Sequence, residues 1–181
     1  RCAGHVRTSA ALDLAPMGHT GRVATLLPAD FDLTLLPSSE LRVCKALVLG
    51  LDDSWFVIPS VPIVVDRADC EIDIVLVSAT RGVIIVEVKG GFISIEQGRW
   101  FQNGHPLAKS PTQQVTSAKH NPLKRLRSAA INLEGMFLCH AIALPDVGSV
   151  PAGGLGPDAP AEIVFAKPEL EFPAIAVNKL L

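Results

Sequence analysis

The sequence predicts an α/β protein with a mixed central sheet flanked by helices. Three observations carry that expectation: a capped helix-period segment before residue 50, three Val/Ile-rich runs between residues 55 and 89, and a second helix-period segment that leads into a further apolar run. The chain has 181 residues, 49% of them hydrophobic and 19% charged, which suits one well-buried core and excludes general disorder. Its formal charge of -2 provides no global attraction to nucleic acid, so any such binding must come from an uneven distribution of charge.

The first element follows Pro37. Ser38 or Ser39 can cap a helix over SELRVCKALVLG, Gly50 can end it, and Leu41, Cys44, Leu47 and Val48 form its apolar stripe with Glu40 at the border. WFVIPSVPIVV, EIDIVLV and VIIVEVK then read as three strands in succession, and the short SATRG loop forces the last two into an antiparallel hairpin. FISIE and RWFQ, joined by QG, read as a smaller hairpin at the edge of the sheet. The stretch from Pro111 reads as a helix that Pro122 kinks or divides, and MFLCHAIAL reads as a buried strand. SVPAGGLGPDAPA is an irregular Gly/Pro-rich loop, and EIVFA reads as a last short strand.

The hairpin carries the chemistry, because its strands are otherwise apolar and yet contain Asp73, Glu87 and Lys89. With a turn centred near Thr80, Asp73 falls opposite Glu87, and the side-chain period of two puts Glu87 and Lys89 on one face. Like charges directly across a ladder destabilise it unless a cation or a proton neutralises them. Carboxylate oxygens suit Mg²⁺ or Mn²⁺, which keep part of their water and bridge to phosphate. Asp73 and Glu87 are therefore candidate metal ligands, with Glu71 a further one on the face of Asp73, and Lys89 is a candidate to orient an attacking water or stabilise developing charge. The alternative places Asp73 and Lys89 in solvent at strand ends, with Glu87 in an ordinary ion pair.

The segment CEIDIVLVSATRGVIIVEVKGG, followed by RW and then SPTQQ, resembles the nuclease-related domain (NERD) family, a branch of the PD-(D/E)xK nucleases, from about Ser38 to about Asp146. The resemblance maps a helix glutamate onto Glu40, the EID aspartate onto Asp73, the EVK pair onto Glu87 and Lys89, and a glutamine after a proline onto Gln114. It implies a restriction-endonuclease-like αβββαβ core, Mg²⁺ or Mn²⁺ dependence, and hydrolysis of DNA phosphodiester bonds in DNA processing or repair, with RNA left open as a substrate. It also implies a helicase or kinase-like domain beyond this chain in some members, so the alternative function is a non-catalytic nucleic-acid-binding or docking module tethered to such an effector. The sequence departs from the family pattern at Pro122 and at Gly90-Gly91, which follow the lysine where a polar residue is frequent.

Between Gln97 and Leu133 there is no acidic residue, and Lys119, Lys124, Arg125 and Arg127 there make a candidate nucleic-acid-binding face, the alternative being a solvated helix surface. Trp100 reads as an anchor to the core, the alternative for Trp100 and Phe101 being a stack on a base. No apolar run approaches the roughly 18 residues of a membrane span, and four scattered cysteines form no zinc or redox motif, so the expected location is cytoplasmic. The expected organisation is a partly disordered N-terminal leader over 1–37, the nuclease-related core over 38–146, and a loop and C-terminal strand or tail over 147–181, packed on the same domain.

Overall fold

Helix α1 (Ser38–Gly50) opens the core, and its buried residues Val43, Cys44 and Leu47 turn toward the sheet. The computed structural model describes residues 22–65, 68–116 and 137–181. Pro37, not a serine, sits at the N-cap of α1: it contributes no side-chain bond, but its carbonyl accepts the Leu41 N–H at 2.9 Å. Ser38 and Ser39 thus fall inside the first turn. Gly50 is the last helical residue, and the position suits glycine because a Cβ there would lie 2.2 Å from Cγ of Pro173.

Strands β2 (Phe56–Val65), β3 (Ala68–Ser78) and β4 (Gly82–Val88) form an antiparallel meander. A short β1 (Thr25–Leu26) pairs in parallel with β2 on one side. On the other side β8 (Leu138–Ala143) runs parallel to β4, and β9 (Val164–Phe165) runs parallel to β8. The order β1-β2-β3-β4-β8-β9 is a mixed six-stranded sheet. Between β4 and β8 lies a helical turn, α2 (residues 111–116), whose Val115 packs with Ile72 and Ile85. Across the sheet, Leu47, Trp55, Ile74, Leu76, Ile84, Val86 and Phe165 form the main core with α1. Each such side chain contributes roughly 1.5–3 kcal/mol by leaving water.

The small hairpin, β5 (Ile93–Glu96) and β6 (Arg99–Gln102), forms as expected but does not extend the main sheet. With β7 (His105–Pro106) it makes a separate three-stranded sheet. The reason is that β4 already has β3 and β8 as neighbours, so it leaves no edge for the following strand to join. Trp100 is 4% exposed and packs with Ile142, Leu144 and Val164, which attaches the small sheet to the back of β8 and β9.

At the C-terminus the strand expected over EIVFA shortens to β9, preceded by a 3-10 turn over Ala161–Ile163. Two helices absent from the sequence-based expectation follow, α3 (Lys167–Glu171) and α4 (Pro173–Leu180). Proline lies in the first turn of each, Pro168 second in α3 and Pro173 first in α4, where its missing N–H costs nothing, and that was the signal available in the sequence. Ala176 and Val177 of α4 are buried in the main core. Among the described residues, no helix is long and apolar enough to cross a membrane.

Candidate active site

The β3–β4 register centres on Thr80, and its last pair is Ile74 with Val86. Asp73 and Glu87 would come next, and there the ladder opens. Instead of a backbone carbonyl, Oδ2 of Asp73 accepts the Val88 N–H at 2.6 Å. The carboxylate therefore substitutes for a missing backbone acceptor, which holds it against β4. Burial pushes the Asp73 acid up to about 7, the Glu87 charge pushes in the same direction, and the Val88 N–H opposes both.

Glu87 is 7% exposed in the middle of the sheet, where its backbone pairs with Ile142 of β8. Two residues on, Nζ of Lys89 lies 2.7 Å from its Oε1, and the Lys89 N–H donates to the Ala143 carbonyl at 2.9 Å. The strand period thus places ammonium and carboxylate side by side. The ion pair of the alternative reading exists, but it is largely withdrawn from solvent and stands beside Asp73.

Glu40 enters from the first turn of α1. Its Oε2 is buried and has no hydrogen-bond partner. Burial raises the pKa of Glu40, the negative charges of Glu71 and Glu87 raise it further, and the Lys89 ammonium opposes them. Glu40 in turn acts on Asp73, so the helix acid and the hairpin acids share one electrostatic field. Glu71, exposed two residues before Asp73, contributes to it as well. Four carboxylates against one ammonium leave an excess of negative charge, and burial favours the protonated forms of Asp73 and Glu40.

The donor set fits a hard divalent cation. Its chemistry is carboxylate oxygen, one oxygen of Glu40 is orphaned, and two carboxyl groups resist ionisation without a counter-charge. Among the described residues no group of three or more His, Cys, Asp or Glu side chains is arranged to hold a metal ion as it stands. Mg²⁺ is commonly held by one or two carboxylates together with water and phosphate.

Gln114 is not tied to this cluster by any hydrogen bond among the described residues. Its Nε2 donates to the Lys109 carbonyl at 3.0 Å, closing the start of its own helix. Lys119, Lys124, Arg125 and Arg127 lie outside the described residues.

Two residues that the sequence did not single out hold the site together. Arg42 of α1 grips Asp146 through both guanidinium nitrogens, at 2.7 and 2.9 Å, and Oδ2 of Asp146 also accepts the Gly91 N–H at 2.7 Å. These bonds keep Asp146 well below the usual carboxylate range. The clamp docks the helix bearing Glu40 onto the turn that follows Lys89. No sequence signal marks a pair 104 residues apart. The same turn explains the two glycines. A Cβ on Gly90 would lie 2.7 Å from Cβ of Ser39, and Gly91 has φ +80 with Asn103 at its back.

Helix, three-stranded meander, helix and parallel strand, with acids and a lysine where the middle ladder opens, define a restriction-endonuclease-like αβ protein. Residues 38–146 match the family model described as NERD, nuclease-related domain. The chain belongs to the nuclease-related domain family. Neither the curated proteins nor the solved structures yield a match to it.

Proposed function

We propose that this chain is a metal-dependent nuclease that hydrolyses DNA phosphodiester bonds. The observation that carries the proposal is the convergence of Asp73, Glu87, Lys89 and Glu40 at the open end of the β3–β4 ladder. Asp73 and Glu87 would hold Mg²⁺ or Mn²⁺, with Glu40 supplying its orphaned oxygen directly or through water. Such an ion, when bound, polarises a phosphoryl oxygen and lowers the pKa of a coordinated water. Asp73 contributes a carboxylate fixed by the Val88 N–H, so it does not reorient on binding. Lys89 supplies an ammonium on a strand anchored to β8, placed to stabilise the charge that develops on phosphate. Arg42 and Asp146 keep the helix acid in register with that lysine.

A second reading has its own support. Lys89 is engaged by Glu87, and Gln114 is turned to its own helix, as in a DNA-binding or docking module that serves a tethered effector such as a helicase. Incubation with supercoiled plasmid and labelled single-stranded DNA in Mn²⁺, Mg²⁺ or EDTA separates the two. The nuclease reading expects metal-dependent cleavage, with rates reduced about 10²-fold or more in Lys89→Ala and Asp73→Ala. Cleavage that persists in both variants removes this site from the chemistry. No cleavage, with DNA and Mn²⁺ still bound, selects the docking module.

A further inference from the structure

Phe92 is 71% exposed, three residues beyond Lys89, yet its backbone is held firmly. Its carbonyl accepts the Asn103 N–H at 2.8 Å, and its N–H donates to Oδ1 of Asn103 at 2.9 Å. The two residues before it are pinned as well: Gly91 donates to Asp146, and the Gly90 carbonyl accepts Nε2 of Gln102 at 2.8 Å. Three side chains from other segments thus fix a turn whose most prominent feature is an aromatic ring in water. Exposed apolar residues are ordinary on protein surfaces, but a ring on a pre-ordered backbone loses little freedom when something covers it.

The register of the small sheet extends the surface. Ile93, Ile95 and Trp100 face inward and pack on the core beneath. By the period of two, Phe92 falls on the opposite face, with Ser94 and Phe101. Ser94 is the direct partner of Phe101, and Phe101 is the partner of exposed Pro106. Phe92 and Phe101 are diagonal neighbours, a spacing that aromatic side chains can span. Phe101 is half-buried and Phe92 stands out beyond it.

We infer that this outer face, Phe92 with Phe101, is a stacking platform for the bases of single-stranded DNA whose backbone enters the Asp73–Glu87–Lys89 site. The inference rests on the nuclease reading and adds a substrate class to it. Continuity favours a nucleic acid, because the chain passes from Lys89 to the platform through only Gly90 and Gly91. Charge agrees beyond the β5–β6 turn: Arg99, the cross-strand partner of exposed Glu96, and exposed Lys109 lie within a stretch, Gln97 to Leu133, that has no acidic residue. Size argues against a protein partner, since a stable interface covers about 800 Å² per side, whereas one aromatic side chain supplies only about 150–250 Å². Two rings suit two bases. The bases must be unpaired, because a duplex hides their faces within the helix stack.

The test uses the full chain in EDTA, so that no strand is cut, at one fixed salt concentration. Anisotropy of a labelled oligothymidylate, an abasic strand of equal length and a duplex is measured for wild type, Phe92→Ala and Phe92→Trp. Expected is a loss of about five- to a hundredfold in oligothymidylate affinity for Phe92→Ala, with Phe92→Trp near wild type. The abasic strand and the duplex should bind wild type and Phe92→Ala alike. Equal losses on all three ligands, or no loss on any, overturn the platform. Unchanged affinity in a protein that still shows metal-dependent cleavage overturns the platform alone. A wild-type chain that binds no oligonucleotide in EDTA overturns the platform, and the nuclease reading falls with it when metal-dependent cleavage is absent as well.

Discussion

Asp73 shows how one residue can work against the fold that holds it. Its folded pKa, about 7, lies above the ordinary value of 3.8 because burial and the Glu87 charge disfavour the anion. Between those values the folded chain retains a proton that the unfolded chain has released, so unfolding becomes easier as pH rises. The stabilisation is therefore fully present below about 4 and is lost as pH rises through about 7, and by the linkage relation it is on the order of 4 kcal/mol. Glu40, raised mainly by its own burial, tilts stability in the same direction. Metal-free wild type should melt several degrees lower at pH 8 than at pH 5. Asp73→Asn, which can still accept the Val88 N–H, should flatten that dependence and melt higher than wild type at pH 8. Thermal unfolding in EDTA across this range decides it: an unchanged slope in Asp73→Asn would show that the carboxyl is ionised at little cost.

At the scale of elements, the α1–α4 contact reverses an ordinary rule. Glycine in a helix is about 1 kcal/mol worse than alanine, so Gly50→Ala should stabilise an isolated α1. In the fold, the added Cβ would meet the Pro173 ring at 2.2 Å from Cγ, and both ring and helix must move. Overpacking of that kind costs about 1–3 kcal/mol, so the variant should be destabilised overall. Denaturant unfolding gives the sign directly. The hairpin elements were readable beforehand because alternation along β3 and β4 and a short turn determine which residues oppose one another. Asp73, Glu87 and Lys89 emerged from that pattern alone, whereas Glu40 needed the family resemblance, since a helix acid beside an apolar stripe is common on any surface. Arg42 and Asp146 emerged from neither. A bidentate ion pair across 104 residues depends on how α1 meets the turn after β8, which local periodicity does not encode.

For the whole molecule, the family match ends at residue 146 but the core does not. Phe165 of β9 is 1% exposed, and Ala176 and Val177 of α4 are buried in the same cluster as Trp55, Ile74 and Val86. A chain truncated after Asp146 should therefore lose cooperative unfolding, because it bares the face of β8 and part of the main core. Circular dichroism melting of that fragment against the full chain checks this, and a fragment with an unchanged transition would show that β9, α3 and α4 are dispensable. Residues 22–37 make a similar contribution at the other end, where β1 completes the sheet beside β2 and Leu36 is buried.

The amino-acid sequence by itself determined a helix, three strands in succession, the register of the hairpin that joins the last two, and the placing of two carboxylates and a lysine on those facing strands. These follow from side-chain periodicity and turn length, which act over a few residues. Only the tertiary structure decided that the small hairpin stands as its own sheet, that the last fifteen residues fold back as two helices, and that Arg42 meets Asp146. The same holds for the orphaned oxygen of Glu40. Those outcomes depend on which edges and faces remain unoccupied once the main sheet has formed, and that is a property of the packed chain and not of any segment within it.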